Sequence, residues 1–524
     1  MAVIVGQQPL RGTDAERLLH VGALRRWWPL VLATATALLI SFHYIHLAAD
    51  FPHDAPWKDP ARTTDEGWYA GAALRALLSG HWRLPGDFNP AAALPVFPTL
   101  AYLLFRITGV SVIVLRALNV SCMAASVLVL WVLARKHSNT TTAGFAALLL
   151  ACSPLYFVYS RLGILEPLLM LETLIAFLLA DIGPKEAQPA SDTHSTPLLR
   201  PAFLGLLMAA MLLTKTTGIC AIPALLYLLW MRSADWRSSF RGVLTAVACC
   251  AAAFIAYVLA VRRAGLMADF INLFAINDDR VNHKNAIEIF FHAIWDGRML
   301  GYCLLATFPV VALAWLFLFR TDTRARGNLE FSNAILLAIG GFGAFIALHG
   351  WLMPRYYLPL VPLLVLYCAL GVNALLEYDR QWLRVIGSCI AAALVIAAVS
   401  QSITITRWTL HPSFSFQDAS RALVATIEES GEQNPVILSS SAEQVALLSP
   451  LHAQFINVQF GTTPLQDRVR DLKPGWMLSF DEPNQDALTA LQGIEVEHLV
   501  LSIPALQDDA THNRLLLYRL TPIN

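Results

Sequence analysis

Apolar runs long enough to cross a bilayer recur along most of this chain, and they constrain its fold more than any other feature. A spanning helix needs roughly 20 mostly apolar residues. Runs of about that length lie near 27–47, 110–133, 141–158, 167–182, 199–214, 217–231, 242–261, 299–319, 331–350, 356–376 and 385–404. Together they predict an all-α polytopic membrane protein with about eleven transmembrane helices. Composition agrees: of 524 residues, 56% are hydrophobic and 14% charged, where soluble domains carry roughly 25% charged residues. Mean hydropathy is +0.54.

Positive charge sets the expected orientation, because Lys and Arg collect in cytoplasmic loops. Arg11, Arg17, Arg25 and Arg26 precede the first run, whose length and flanks suit an uncleaved helix rather than a signal peptide. The N-terminus is therefore expected inside and residues 48–109 outside. Alternation then leaves Arg135 and Lys136, Lys185 and Arg200, Arg232, Arg237 and Arg241, Arg320, Arg324 and Arg326, and Arg380 and Arg384 inside. The stretch Leu94–Thr108 is short and interrupted by Pro95, Pro98 and Arg106, and reads as an amphipathic element on the outer interface. Counting it as a span would move every later cluster outside.

The odd number of spans leaves the C-terminus outside. Residues 1–405 form the expected transmembrane domain, and 406–524 a small extracytoplasmic α/β domain. Within the latter, Pro435–Ser440, Trp476–Phe480, Glu495–Ser502 and Arg514–Leu520 read as strands and Gln417–Glu429 as an amphipathic helix. A net charge of zero gives no reason to expect a nucleic-acid partner. The eight cysteines all lie in apolar segments, so no disulfide framework is implied. No CxxC or HExxH pattern occurs.

The polar loop after the first span holds the segment DEGWYAGAALRALLSGHW, Asp65–Trp82. Asp65 and Glu66 open what reads as a short amphipathic helix, where two acids are also ordinary helix-start residues. The same outer side collects Arg161 and Glu166 in SRLGILEP, Lys215 in LLTKTTG, and His349 and Arg355 in HGWLMPRYYLP. The loop 263–298 adds Asp278, Asp279, Arg280, His283 and Lys284. Lys215 and Arg355 could be snorkelling anchors, but charges gathered on one side of a membrane more often mark function. Arg and Lys bind phosphate, and an acid in the same cavity can act as general base toward a hydroxyl. No GxxxxGKT loop is present for a nucleotide. A phosphorylated lipid, acting as a lipid-linked donor, is the substrate class that fits. Asp65, Glu66, Glu166 and His349 could hold a divalent cation if they converge; spacing alone assigns no cofactor.

DEGWYAGAALRALLSGHWRLP, the Pro-rich LPVFPTLAYLLF, Gly109 and Arg116 together resemble the first outer loop of GT-C glycosyltransferases. The similarity is to the bacterial protein mannosyltransferase-like and aminoarabinose transferase-like members, families 39 and 83. SRLGILEPLLMLETLIAF resembles their second outer acidic turn, and TKTTG and RYYLPLVP two weaker patterns. The resemblance covers about 25–405. It implies inverting transfer of a sugar from a polyprenyl-phosphate donor to an acceptor lipid, glycan or protein, at the extracytoplasmic face of the cell's inner or plasma membrane. Carried over, Asp65 is the base or acceptor-orienting acid with Glu66 beside it. Tyr69 shapes the pocket, and Glu166 stands where many members have Asp. Arg161, Lys215 and Arg355 become candidates for the donor phosphate, and His349 lines the same side. Aminoarabinose-type relatives carry Lys-Pro where this chain has Leu94-Pro95, so Arg83 or Lys215 would replace that cation.

Three rival classes make different demands. A transporter or flippase of a lipid-linked or polar solute should show repeated halves with broken helices at matching positions, and no repeat is visible. A non-catalytic assembly partner should have lost its acids, yet Asp65 and Glu166 are present. A ligase or polymerase of the O-antigen type would use a larger outer loop than 263–298.

Overall fold

The computed structural model describes residues 12–57, 59–183, 198–233, 235–278, 288, 300–321, 328–349, 353–482, 485–491, 494–506, 509 and 512–522. Several residues named above fall outside it: Arg11, Lys185, Asp279, Arg280, His283, Lys284, Arg324 and Arg326, and the side chains of Arg17, Arg25, Arg26, Asp278 and Arg320.

The chain begins with α1 (Gly12–Tyr44), then α2 (Asp65–Leu78), α3 (Val96–Thr108), α4 (Val112–His137), α5 (Thr140–Ala151), α6 (Pro154–Ser160) and α7 (Glu166–Ala180). Next come α8 (Leu199–Thr214), α9 (Ile222–Met231), α10 (Trp236–Arg263), α11 (Met267–Asp278), α12 (Tyr302–Thr321), α13 (Leu329–Leu348), α14 (Leu360–Glu377) and α15 (Gln381–Leu410). Among the described residues, six helices are long and apolar enough to cross a membrane alone. A seventh crossing arises if the α5–α6 pair, bent by 60°, counts as one.

The other apolar helices are short, and local chemistry explains why. Pro154 brings no N–H to the α5 ladder, so the run expected at 141–158 breaks there, and Ser153 caps the new start by accepting from Tyr156 N–H at 3.4 Å. Lys215 is extended, and the chain resumes as a 3-10 turn, Thr216–Ala221, before α9. At 1.5 Å per residue, α7 and α8 reach only about 22–24 Å, so their ends stop at polar side chains rather than running on.

Those ends gather at two poles. At the far pole Asp181, after α7, meets His137 of α4 at 2.7 Å, Lys136 at 3.1 Å and Arg232, after α9, at 2.9 Å. Arg232 also holds Glu330 of α13 at 2.8 Å, and Asn139 before α5 bonds Asn373 of α14 at 2.7 Å. At the opposite pole α2 meets the start of α4, Glu166 of α7 meets Lys215 after α8, and Asp54 takes Arg407 and Trp408 of α15. α7, α9 and α14 therefore run one way, and α5–α6, α8, α13 and α15 the other.

α15 continues to Leu410, and the rest of the chain builds a five-stranded mixed sheet. Its elements are α16 (Ser415–Glu429), β1 (Val436–Leu438), α17 (Ala442–Leu448), β2 (Gln454–Ile456), α18 (Leu465–Leu472), β3 (Trp476–Phe480), α19 (Gln485–Ala490), β4 (Ile494–Pro504) and β5 (Arg514–Pro522). The strand order is β2-β1-β3-β5-β4, parallel over the first three and antiparallel at β5 and β4. The four strands and the helix expected from sequence are present within a few residues. β2 is an addition: three residues are too few to show a period of two.

This sheet unit docks on the first loop. Arg75 of α2 reaches Glu443 at 2.8 Å, Arg468 pairs with Asp87, and Arg62 pairs with Asp509. α17 lies directly on α2, where a Cβ on Gly67 would sit 2.2 Å from the Gln444 backbone nitrogen. Only glycine permits that approach.

Candidate active site

The site is assembled from four breaks in helical structure. α2 presents Asp65, Trp68 and Tyr69, at i, i+3 and i+4, toward a cavity of about 370 Å3. Lys215 enters from the extended break between α8 and α9, while Arg355 and Tyr356 lie in the 3-10 turn Pro354–Tyr357 that leads into α14. His349 comes from the end of α13.

Arg355 is the hub. One of its terminal nitrogens lies 2.7 Å from Asp59 Oδ1 and 2.7 Å from Asp65 Oδ2, and its Nε is 3.6 Å from Glu166 Oε1. Lys215 Nζ pairs with Glu166 Oε1 and stands 5.0 Å from the Tyr356 ring centre. Among the described residues three carboxylates thus face two cations, one formal negative charge in excess. Glu166 Oε2 is buried with no hydrogen-bond partner among the described residues. Asp65 keeps 13% of its side-chain surface and receives Thr64 Oγ1–H at 3.1 Å. Burial raises its pKa above the ordinary aspartate range; Arg355 lowers it, and the nearby Asp59 and Glu166 raise it again. Asp65 is therefore partly accessible, poised to bind a proton, and incompletely neutralised.

Glu66, its neighbour, has a different environment. It is fully buried and grips Arg116 with both oxygens, at 2.8 and 2.6 Å. It also accepts Gly163 N–H at 2.7 Å and the Gln444 amide at 2.9 Å. Every lone pair it can offer points into structure, away from the cavity.

Of the residues singled out from sequence, Asp65, Tyr69, Glu166, Lys215, His349 and Arg355 come together. Arg83 does not: its side chain is 38% exposed and 3.9 Å from Asp269. Arg161 lines a separate cavity. Asp59 went unremarked in the sequence, where Asp-Pro signals only a turn; it caps the turn Pro60–Arg62 and accepts Tyr159 O–H at 3.2 Å. Phe460, supplied after β2, lines the cavity 5.9 Å from the Trp68 ring, and no local pattern marks it. Among the described residues no group of three or more His, Cys, Asp or Glu is placed to hold a metal ion.

The opposite wall of the cavity is apolar, with Leu273 and Phe274 of α11 and Phe345 and Leu348 of α13. An ionic cluster facing an apolar wall can take a ligand that is part phosphate and part hydrocarbon.

Residues 90–260 match the family model described as dolichyl-phosphate-mannose-protein mannosyltransferase. That segment holds Arg161, Glu166 and Lys215 but neither Asp65 nor Arg355. Comparison by sequence with curated proteins gives no match. Solved structures decide the fold. ArnT from Cupriavidus metallidurans bound to undecaprenyl phosphate superposes with a TM-score of 0.60 at 14% identity, covering 94% of this chain and 97% of ArnT. The chain has the GT-C fold.

Other GT-C structures agree. AglB, the oligosaccharyltransferase of Archaeoglobus fulgidus, in complex with an inhibitory peptide and a dolichol-phosphate, gives 0.53 at 14% identity over 87% of this chain and 70% of its own. The mycobacterial arabinofuranosyltransferase AftD gives 0.52 at 14% identity over 94% of this chain and 40% of its own. With its apolar helices, this GT-C chain is a multi-pass membrane protein related in fold to glycosyltransferases.

Proposed function

We propose that the protein transfers a sugar from a polyprenyl-phosphate donor to an acceptor hydroxyl at the extracytoplasmic face of the cell's inner or plasma membrane. The observation that carries this reading is the convergence of Asp65, Lys215 and Arg355 on one cavity with an apolar wall, with the buried Glu166 paired to Lys215 behind them. Solved relatives in fold bind undecaprenyl phosphate and a dolichol-phosphate.

The chemistry is a single displacement with inversion. The acceptor oxygen attacks the anomeric carbon as the bond from that carbon to the phosphate oxygen breaks. Asp65, ionised, takes the acceptor's proton. The polyprenyl phosphate leaves with added negative charge, which Lys215 and Arg355 offset from within the low-dielectric cavity. Glu166 holds Lys215 in place, Tyr69 and Trp68 shape the wall, and the polyprenyl chain lies along Leu273, Phe274, Phe345 and Leu348. Glu66 acts as a positioning residue for α2.

The two poles support an orientation. We read eleven crossings, four more than the helices long and apolar enough to cross by themselves or as the bent α5–α6 pair, by also counting the shorter α7, α8, α12 and the turn with α9. The far pole, with Arg135, Lys136, Arg232, Arg380 and Arg384, then faces the cytoplasm, and the sheet of 406–524 lies outside with the site.

The direct test offers purified protein a panel of polyprenyl-phosphate monosaccharides with a crude membrane acceptor. One donor should be consumed, releasing polyprenyl phosphate. If none is consumed and labelled lipid instead crosses the bilayer of reconstituted vesicles, the transferase reading falls.

A further inference from the structure

A second cavity, of about 410 Å3, lies at the same pole and shares no lining residue with the first. It sits between residues 49–54, α6 and the end of α15, and its wall holds Asp50, His53, Asp54, Arg161, Arg407 and His411.

Arg161 is the unusual member. Its guanidinium donates to the His46 carbonyl at 2.7 Å and lies 4.8 Å from the Phe157 ring centre. No carboxylate pairs with it among the described residues. Burial, with Arg116 close by, pulls its pKa down to about 9; the charge is short of a counter-ion. The acids of the wall are committed elsewhere. Asp50 Oδ2 accepts Phe416 N–H at 3.0 Å and the hydroxyls of Ser415 and Ser413. Asp54 takes Arg407 at 2.9 Å and the Trp408 indole at 2.5 Å. Arg161 is half-buried at the cavity wall; a partly desolvated arginine without its counter-charge is unfavourable, and an anion held by its fork relieves that.

The helix ends leading to this cavity indicate where the anion comes from. Tyr44 and Ile45 at the end of α1, and Leu410 at the end of α15, are exposed. On a membrane protein such a rim faces lipid. We propose that the second cavity is an anionic-headgroup site: Arg161 holds the phosphate of a membrane lipid whose chains lie along the ends of α1 and α15. This site stands independently of the transferase reading and requires nothing of Asp65.

The test uses the full-length protein in detergent and follows the thermal unfolding midpoint during titration with phosphatidylglycerol, phosphatidylcholine or inorganic phosphate. Phosphatidylglycerol should raise the midpoint saturably, and the other two should not. Arg161→Gln should abolish the rise. Because that variant also loses the His46 contact, Asp54→Asn supplies a second test: removing a negative charge from the wall should tighten phosphatidylglycerol binding several-fold. Asp65→Asn should bind as the wild type does. Equal binding by wild type and Arg161→Gln, or no tightening in Asp54→Asn, overturns the site. An equal rise with inorganic phosphate overturns the lipid source and leaves a free-anion site.

Discussion

Asp65 and Glu66 are adjacent in sequence and opposed in role, and substitution should separate them. Glu66 neutralises Arg116 inside the protein. Glu66→Ala leaves that arginine buried without its paired carboxylate, though still bonded to the Leu47 and Ala49 carbonyls, a loss of about 3–5 kcal/mol. It should appear as a large fall in the unfolding midpoint and in the yield of folded protein. Asp65→Asn removes a partly accessible charge from a cluster already in negative excess, so folding should be little changed. The pH profile gives a second separation. Asp65 accepts a proton only when ionised, and its raised pKa places the acid limb of kcat/KM above the range of an exposed aspartate. Arg355 lowers that pKa and Asp59 raises it. Arg355→Gln should therefore move the acid limb to higher pH and Asp59→Asn to lower pH. Shifts of the opposite sign would exclude Asp65 as the titrating base.

Among the elements, α2 ties membrane and sheet units together. Gly67→Ala would place its methyl group against the α17 backbone, where overpacking typically costs about 1–3 kcal/mol. Because the same helix carries Asp65, transfer should fall further than the unfolding midpoint suggests. Unchanged kinetics would mean that α17 does not position α2. α2 was also the most legible element. Two acids followed by an alanine-rich stretch specify a helix start, and helical spacing puts Asp65 and Tyr69 on one face. Lys215 and Arg355 were legible as charges where charges are unfavourable. What escaped the sequence depends on contacts far apart in the chain. Glu66 finds Arg116 and Gln444, 50 and 378 residues away. Asp59 joins the site only through Arg355, and Phe460 only because the sheet unit docks beside Trp68. The break at Pro154 was visible in the sequence, yet hydropathy alone runs straight through it.

At the scale of the whole molecule, the two poles predict opposite exposures. A single introduced cysteine in the 406–524 unit should react with a membrane-impermeant maleimide on intact cells. One placed beside Arg380 should react only after permeabilisation. The reverse pattern would invert the orientation and move the site to the cytoplasmic face. With that orientation, two cavities open at one pole: one holds acids around Arg355, and the other holds Arg161 short of a counter-charge. The proposed chemistry belongs to the first. The most direct test of that assignment is single-turnover release of polyprenyl phosphate from the consumed donor, comparing wild type with Asp65→Asn at equal donor occupancy. Release slowed by at least about a hundredfold, the usual scale for loss of a general base, with donor binding retained, is the expected result. Release at the wild-type rate would show that Asp65 is not the base.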